Sequence, residues 1–322
     1  MAYEQVPGGN GDPTRRVGPC VLNPSDLYRY ETDGRLEPRP GVLLVALGGF
    51  MDAGNTQRVL VSHLLETSDS EVIASFDVDQ VLDYRGRRPG MVFDGSAWAS
   101  YDDPAILLHR LTDRDGQTYY ILDGPEPDYQ WERMVEAVRE VMDTLGVTLV
   151  VTSHGIPMAV PHTRPVGYTV HATDPTLVGD RVSPFGRVQV PGSFAALLEL
   201  RLGEAGRQAM GFAIHVPHYL AQSEFADGAL AALNAISGAS GLNLPNDALV
   251  AAAGESRAEI AEAVARSEEV REVVTALEQQ YDQFAESQSR PSLLATETDQ
   301  LPSADEIGAE FEAFLKNVAD SD

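Results

Sequence analysis

Three separate segments of the sequence combine glycine or proline with side chains that could bind a ligand or move a proton, and the first is a glycine-rich loop. Residues 49–56 fit the phosphate-binding pattern G-x-x-x-x-G-K-[ST] except at Asn55, which stands where the lysine would contact the terminal phosphates. Lys316, the single lysine of the chain, lies far along the sequence. We therefore expect this loop to turn a strand into a helix and not to hydrolyse nucleotides, with Asp52 stabilising the positive end of the helix dipole.

The second segment, residues 123–128, carries three carboxylates beside two prolines. Paired carboxylates such as Glu126 and Asp128 can exchange protons with a substrate or bind a cation. A simpler interpretation is that Asp128 caps the N-terminus of the next helix within a turn stiffened by proline. We favour the capping interpretation.

The third segment, residues 154–165, contains two histidines, a threonine and an arginine that together could hold a phosphate or a carboxylate. It also contains three prolines, which suit a rigid loop packed against a neighbouring subunit. Both interpretations stay open, because loops on a rigid scaffold carry function more often than core positions do. The candidate ligand- or interface-binding residues of the three segments are Gly48, Gly49, Phe50, Asp52, Gly54, Asn55, Glu126, Asp128, His154, Pro157, His162, Thr163 and Arg164.

Two further patterns resemble catalytic or metal sites but are incomplete. Ser153 lacks the first glycine of the nucleophile-elbow pattern G-x-S-x-G, because Val151 stands there. His215 and His218 flank a proline that breaks the helix on which an H-x-x-x-H zinc site is built. We therefore expect no hydrolase triad, no metal site and no bound cofactor.

Composition restricts the partners and the compartment. The 322 residues include 49 acidic and 23 basic ones, a net charge of −26 that would repel the phosphate backbone of nucleic acids. The single cysteine, Cys20, cannot form an internal disulfide, so we expect a cytoplasmic protein. Residues 1–20 contain glycine and proline but no apolar run, so we expect a flexible tail and neither a signal peptide nor a membrane anchor.

Apolar runs and helical periodicities alternate along the chain, as expected of a layered α/β fold. The continuous run 42–47 predicts a strand buried on both faces, and the pattern at 56–64 predicts a helix directly after it. Further strands are predicted at 72–76, 91–93, 147–152, 168–171 and 211–216, a hairpin at 106–108 and 119–122, and further helices at 131–145, ended by Gly146, and 195–202. We therefore predict a three-layer α/β/α sandwich with a mixed sheet, whose ligand-binding loops follow the carboxyl ends of parallel strands.

From about residue 219 the predicted elements are helices alone, at 225–236 and 249–284. A linker at 287–302 leads to a final helix that begins with a capping box at Ser303–Glu306. We expect three parts: the tail at 1–20, the α/β/α domain at 21–240, and a C-terminal helical extension at 241–322.

The ordered combination of Gly49–Gly54, Gly124–Asp128 and Gly155–Pro165 resembles the PAC2 (proteasome assembly chaperone 2-like) family, especially its actinobacterial branch, over about residues 20–240. The resemblance implies a sandwich similar to the phosphorylase/hydrolase-like fold, self-association, for which we expect a trimer, and kinship with chaperones that help assemble proteasome rings. It implies no reaction, because no catalytic residues are agreed for this branch. Archaeal relatives look like proteasome binders through a tail with a tyrosine, which residues 317–322 lack, so we do not expect docking by that route.

Two functional hypotheses follow. The first is a non-enzymatic, homo-oligomeric binding or assembly protein that acts on a protein client, with the three loops lining a shared pocket or interface. The second is an enzyme or small-molecule sensor that uses a cleft at the carboxyl ends of the strands. In the second hypothesis Asp52, Glu126 or Asp128 would transfer protons. His162 or Arg164 would hold an anion.

Overall fold

The computed structural model describes residues 22–31, 37–49, 51–179, 183 and 185–289, and ten strands lie within them. In chain order they are β1 (Tyr28–Tyr30), β2 (Gly41–Gly48), β3 (Ser70–Phe76), β4 (Met91–Asp94), β5 (Ala97–Tyr101), β6 (Ile106–Thr112), β7 (Thr118–Pro125), β8 (Val147–Met158), β9 (Tyr168–Ala172) and β10 (Gln208–Pro217). Eight of them pair into one sheet in the order β1-β3-β6-β7-β2-β8-β10-β9. The other two, β4 and β5, form a separate hairpin.

The helices of the described residues are α1 (Thr56–Thr67), α2 (Trp131–Leu145), α3 (Pro175–Val178), α4 (Phe194–Glu204), α5 (Ala226–Ser240), α6 (Asp247–Ala265) and α7 (Glu268–Ser289). None of these helices is long and apolar enough to span a membrane. The chain divides into two compact units after Leu277, and the described part of the second unit is the helical segment Glu278–Ser289. The predicted tail, Phe50, the predicted linker beyond Ser289 and the predicted final helix lie outside the described residues.

Four adjacent strands, β7, β2, β8 and β10, run parallel. Their sequences are apolar runs, and in β2 every side chain from Val42 to Leu47 is buried, as expected when helices cover both faces of a parallel sheet. Parallel strands end on the same side of a sheet. The loops that follow Gly48, Pro125, Met158 and Pro217 therefore leave one edge, which we call the carboxyl edge.

Helices cover the sheet on both sides. Leu43 of β2 packs in the cluster that contains residues of α2 and α4, whereas its neighbour Leu44 packs in the cluster that contains residues of α1 and α5. We call these two sides the α2 face and the α1 face. The predicted α/β/α sandwich with a mixed sheet and C-terminal helices is thus confirmed.

The strand predicted at residues 91–93 exists but does not join this sheet. It pairs with β5, a strand that the sequence did not predict, and every residue of both strands is exposed. β3 pairs directly with β6, so the main sheet has no place for β4 between them. The segment between Phe76 and Ile106 is therefore an insertion that carries its own two-stranded ribbon.

β8 is longer than the predicted strand at 147–152, because it continues to Met158 beside β10. Its other neighbour, β2, pairs with it only as far as Thr152, so the last residues of β8 have one open side. Proline lacks the N–H that a central strand position needs, and Pro157 is tolerated at such an open side. The predicted loop at 154–165 thus begins inside a strand.

The helix predicted as one element at 249–284 is divided into α6 and α7 by a break at Arg266–Ser267. The Ser267 side-chain oxygen accepts a hydrogen bond from the Val270 N–H at 3.3 Å, which satisfies one free donor at the start of α7. A serine side chain in a helical stretch can accept a backbone hydrogen bond in this way. The sequence pattern does not show whether it does so or the helix continues unbroken.

Asp113 is a buried carboxylate that joins two distant parts of the first unit. It accepts hydrogen bonds from Asp115 N (3.0 Å) and Gln117 N (2.7 Å) in the β6–β7 turn, and from Asn243 N (2.8 Å) between α5 and α6. We predict that Asp113→Ala lowers the free energy of unfolding by about 3 kcal/mol, because three backbone N–H groups in part-buried hydrogen bonds lose a charged acceptor. Urea unfolding measures this change. The control is Asp115→Ala, an exposed position of the same turn, where a change within about 0.5 kcal/mol is expected; equal effects would contradict the prediction.

Candidate functional site

The three segments singled out in the sequence meet at the carboxyl edge. The loop after β2 contacts the loop after β7, where the Glu126 N–H donates to the Gly48 carbonyl oxygen at 2.8 Å. The same loop contacts the end of β8, where the Gly155 N–H donates to the Asp52 carboxylate at 3.1 Å. The first loop therefore lies between the other two and touches both.

Asp52 supplies the acceptor that is missing on the open side of β8. Its carboxylate accepts hydrogen bonds from the backbone N–H groups of Gln57 (2.9 Å) and Arg58 (3.1 Å) in the first turn of α1, and from Gly155. One side chain thus satisfies donors of a helix N-terminus and of a strand that has lost its neighbour. Asp52 is a structural anion in this arrangement.

The backbone of the first loop takes up the left-handed conformation at two consecutive residues, Gly54 (φ 68°) and Asn55 (φ 49°). The Gly54 N–H donates to Ala221 O, and Gly54 O accepts from the Phe225 N–H, each at 2.9 Å. Asn55 stands where the phosphate-binding pattern has lysine, and it is the residue directly before α1. These contacts tie the loop to the segment that follows β10.

Glu126 also serves a helix. The side chain is buried, and its Oε1 accepts a hydrogen bond from the Phe194 N–H at 2.6 Å, at the start of α4. A Cβ at Gly49 would overlap the Glu126 side chain, so only glycine allows the two loops to approach this closely. Glu126 therefore holds α4 against the first loop.

The prediction that Asp128 caps α2 is wrong. The residue before α2 is Gln130, with φ 57°, and its side chain does not cap the helix. The Asp128 carboxylate instead accepts from the Asp83 N–H at 2.7 Å and pairs with Arg87 at 2.9 Å. Asp128 thus fixes the turn at 83–87, and the structure gives Asp128 and Asp52 separate partners.

His154 and Pro157, both predicted to belong to a loop, lie in β8. His154 is half-buried, and its pKa is lowered mainly by burial and further by nearby His171, while Asp52 opposes the shift. The imidazole is therefore neutral at pH 7, and it is not a cationic partner for an anion. Pro157 is exposed beside it on the open side of the strand.

His162, Thr163 and Arg164 lie together in the turn before β9. The Tyr219 hydroxyl contacts the His162 backbone N–H at 2.9 Å and its ring Nδ1 at 2.7 Å. Arg164 Nη1 donates to Thr163 Oγ1 at 3.4 Å. Tyr219 thus positions this turn. No sequence pattern predicts this contact, because the tyrosine is 57 residues away.

A cavity of about 360 Å³ opens beside the first loop, on the α1 face. Three predicted residues, Gly48, Asp52 and Asn55, line it together with Asp123 and Gly124 at the end of β7. Asp123 was not a candidate in the sequence. Its pKa is raised by burial, an effect that His109 and the Gly124 N–H partly offset. The cavity is suited to a small polar molecule.

A second polar group that the sequence did not predict lies on the α2 face near β9. His171 Nδ1 donates to both oxygens of Glu199 in α4, each at 2.9 Å. The imidazole lies over Gly211 of β10, where a Cβ would overlap it, and near the Thr152 hydroxyl. Within the described part of the chain no cluster of three histidine, cysteine or acidic side chains is arranged to hold a metal ion.

A substitution at Gly155 tests the contact between β8 and the first loop. A Cβ at this position would overlap the Ala53 carbonyl oxygen and lie 2.7 Å from Thr56 Oγ1, so we predict that Gly155→Ala lowers the free energy of unfolding by about 3 kcal/mol. Chemical denaturation measures the loss. Gly238→Ala in α5 is the control: its Cβ meets no atom within 4 Å, and helix propensity predicts a gain of up to about 1 kcal/mol. A Gly155→Ala protein as stable as wild type would show that the two segments are not tightly packed.

Solved structures of actinobacterial proteins share this architecture. A Mycobacterium tuberculosis protein of unknown function is 40% identical with a TM-score of 0.77, and the match covers 89% of this chain and 94% of that one. A Corynebacterium glutamicum protein of unknown function is 36% identical, with coverages of 82% and 99% and a TM-score of 0.76. A proteasome-assembly chaperone homologue of M. tuberculosis is 25% identical, with coverages of 72% and 99% and a TM-score of 0.66.

A search of curated proteins gave no match. The model of the PAC2 family, in contrast, matches residues 46–264, which contain the three loops of the carboxyl edge. Because this match covers more than half of the 322 residues, the chain belongs to the PAC2 family.

Proposed function

We propose that the protein is a non-enzymatic, homo-oligomeric assembly factor that binds a protein client in the cytoplasm. The observation that carries the proposal is an exposed apolar hairpin, β4–β5, which projects from the α/β/α body. The net charge of −26 supports a protein and not a nucleic acid as the client. The proposed body is residues 21–240, followed by the helical extension at 241–322.

The state of the carboxylates at the carboxyl edge favours binding over catalysis. Asp52 accepts from three backbone N–H groups, Glu126 from the N-terminus of α4, and Asp128 from the 83–87 turn. A general acid or base has to be free to reach a substrate proton. These three side chains are committed to holding loops and helices in place, which supports a rigid binding edge.

The hairpin has the composition of a buried surface although it is exposed. Its large side chains Phe93 and Trp98 are 56% and 65% exposed, and their rings contact each other edge to face with centroids 5.2 Å apart. An isolated two-stranded ribbon is marginally stable in water, and apolar patches of this kind mark interaction sites. The other large exposed apolar residues of the hairpin are Met91, Val92 and Tyr101.

Charge supports a second copy of this chain as the partner of the hairpin. The exposed turn just before β4 carries Arg85 and Arg88, besides Arg87, which pairs with Asp128. A groove of about 590 Å³, which Tyr84 before the hairpin and Asp103 after it both line, contains five carboxylates and one arginine. The five are Asp26, Glu31, Asp77, Asp79 and Asp103. Since each chain supplies both signs, two copies can pair their charges while the apolar ribbon is buried.

The oligomer depends on the hairpin in this proposal. We predict that the wild-type chain elutes as a multiple of its 34.8 kDa mass and that the double variant Phe93→Ser, Trp98→Ser is a monomer at micromolar concentration. Size-exclusion chromatography with light scattering measures both masses. Val190→Ser, at a site 69% exposed outside the hairpin, is the matched control and should keep the oligomer. A monomeric wild-type chain, or an oligomeric double variant, would contradict the proposal.

A proteasome subunit is the first client to examine, because one relative is described as a proteasome-assembly chaperone homologue. We predict that the chain binds purified mycobacterial proteasome α-subunits and speeds the appearance of assembled core particle when β-subunits are added. Native mass spectrometry over time measures the intermediates. The double variant Phe93→Ser, Trp98→Ser shows whether client binding requires self-association. Unchanged assembly kinetics at saturating excess of the wild-type chain would rule out this client.

A further inference from the structure

The cavity of about 360 Å³ at the carboxyl edge has an apolar wall and a polar wall. Ala46 of β2 and Val61 and Leu65 of α1 form the apolar side. The volume lies in the range of pockets that bury small ligands, roughly 300–1,000 Å³. Asp52, Asn55, Gln57, Arg58, Ser62 and Asp123 contribute the polar groups.

Two of the charged groups in the polar wall already have several partners or an ion pair. Three backbone N–H groups engage the Asp52 carboxylate, and the Arg58 guanidinium pairs with Glu224 at 2.7 Å. Asp123 differs from both. Among the described residues it forms no salt bridge, its carboxylate interacts with the Gly124 N–H, and the residue lines the cavity. The wall therefore contains one carboxylate, that of Asp123, that pairs with no cation of the described residues and interacts with a single backbone N–H.

A buried histidine lies behind Asp123. His109 of β6 is opposite Ile121 of β7, and Asp123 is two residues further along, so both side chains lie on the α1 face. His109 is 8% exposed, and neither ring nitrogen has a hydrogen-bond partner. Its pKa is lowered by burial, and Asp123 only partly opposes this shift, so the ring is neutral at pH 7 and cannot neutralise Asp123. Unsatisfied buried polar groups are rare in native proteins, so the His109 ring requires an explanation.

We propose that this cavity binds a small molecule with a primary ammonium group, which pairs with the Asp123 carboxylate while an apolar body packs on Ala46, Val61 and Leu65. Coulomb attraction across a half-buried site is stronger than in water, so an ammonium group gains most at Asp123, whose carboxylate interacts with one backbone N–H, that of Gly124, and no cation of the described residues. An anionic ligand would meet two carboxylates, Asp52 and Asp123. A neutral ligand would leave Asp123 uncompensated.

The test uses three probes with one carbon skeleton: isopentylamine, isopentanol and isovalerate. Isothermal titration calorimetry on the full chain at pH 7.5 should show saturable binding of the amine, one per chain, and none of the alcohol or the acid. Asp123→Asn should weaken amine binding at least about tenfold, since one lost charged pair is worth about 1.4 kcal/mol or more. Asp94→Asn, an exposed position in the hairpin that loses the same charge, should leave the affinity unchanged.

A second variant keeps the test decisive if Asp123→Asn does not fold. Ser62 is exposed on α1 at the rim of the cavity, so Ser62→Trp should block the cavity without altering its charge and abolish amine binding. Circular dichroism and an unfolding curve show whether each variant is folded. No saturable amine binding, equal binding of isopentanol, or unchanged affinity in a folded Asp123→Asn or Ser62→Trp protein would overturn the proposal. None of these results depends on the oligomer or on a client.

Discussion

The architecture of the carboxyl edge depends on a mismatch in the lengths of neighbouring parallel strands. β2 stops pairing with β8 at Thr152, while β8 continues to Met158, so the backbone of β8 is left with unpaired groups on one side. Unpaired buried N–H groups are costly, and one carboxylate removes the problem. Asp52 accepts from Gly155 on that side and from the first turn of α1, so it fixes the strand and the helix relative to each other.

The carboxylates at the carboxyl edge differ in the groups that bind them. Asp52, Glu126 and Asp128 each accept backbone N–H groups, and their positions are explained by the helices and turns that they hold. Asp123 is half-buried and holds no such segment, and it borders a cavity. Burying a carboxylate costs free energy, and for Asp123 no helix or turn held in place explains that cost. Asp123 is therefore more informative about function than the other three carboxylates.

Most strands and helices could be predicted, because their signals are local. The buried run of β2 and the three- and four-residue repeat of α2, ended by Gly146 with φ 74°, are set by burial and by backbone stereochemistry. The two ends of β8 show what local signals can and cannot predict. Its start follows from its own residues, whereas its end depends on β10, a strand 50 or more residues away.

The candidate site was predicted less well than the fold, because side-chain partners are remote in sequence. Asp128 caps no helix because Asp83, 45 residues earlier, provides a better-placed N–H group. The proximity of His109 and Asp123 requires that β6 and β7 are paired in a particular register. In contrast, the meeting of the glycine loop with its two neighbours followed from strand order alone. Loops after adjacent parallel strands share an edge whatever their side chains do.

The position of the β4–β5 ribbon has an evolutionary consequence. β3 and β6 are hydrogen-bonded to each other, and every residue of β4 and β5 is exposed, so the ribbon can lengthen, shorten or disappear without altering any strand of the main sheet. The entropic penalty for enlarging such a connection is small, roughly 0.6 kcal/mol for each doubling of its length. Selection can therefore change the exposed apolar surface of the ribbon while leaving the hydrophobic core of the sheet unchanged.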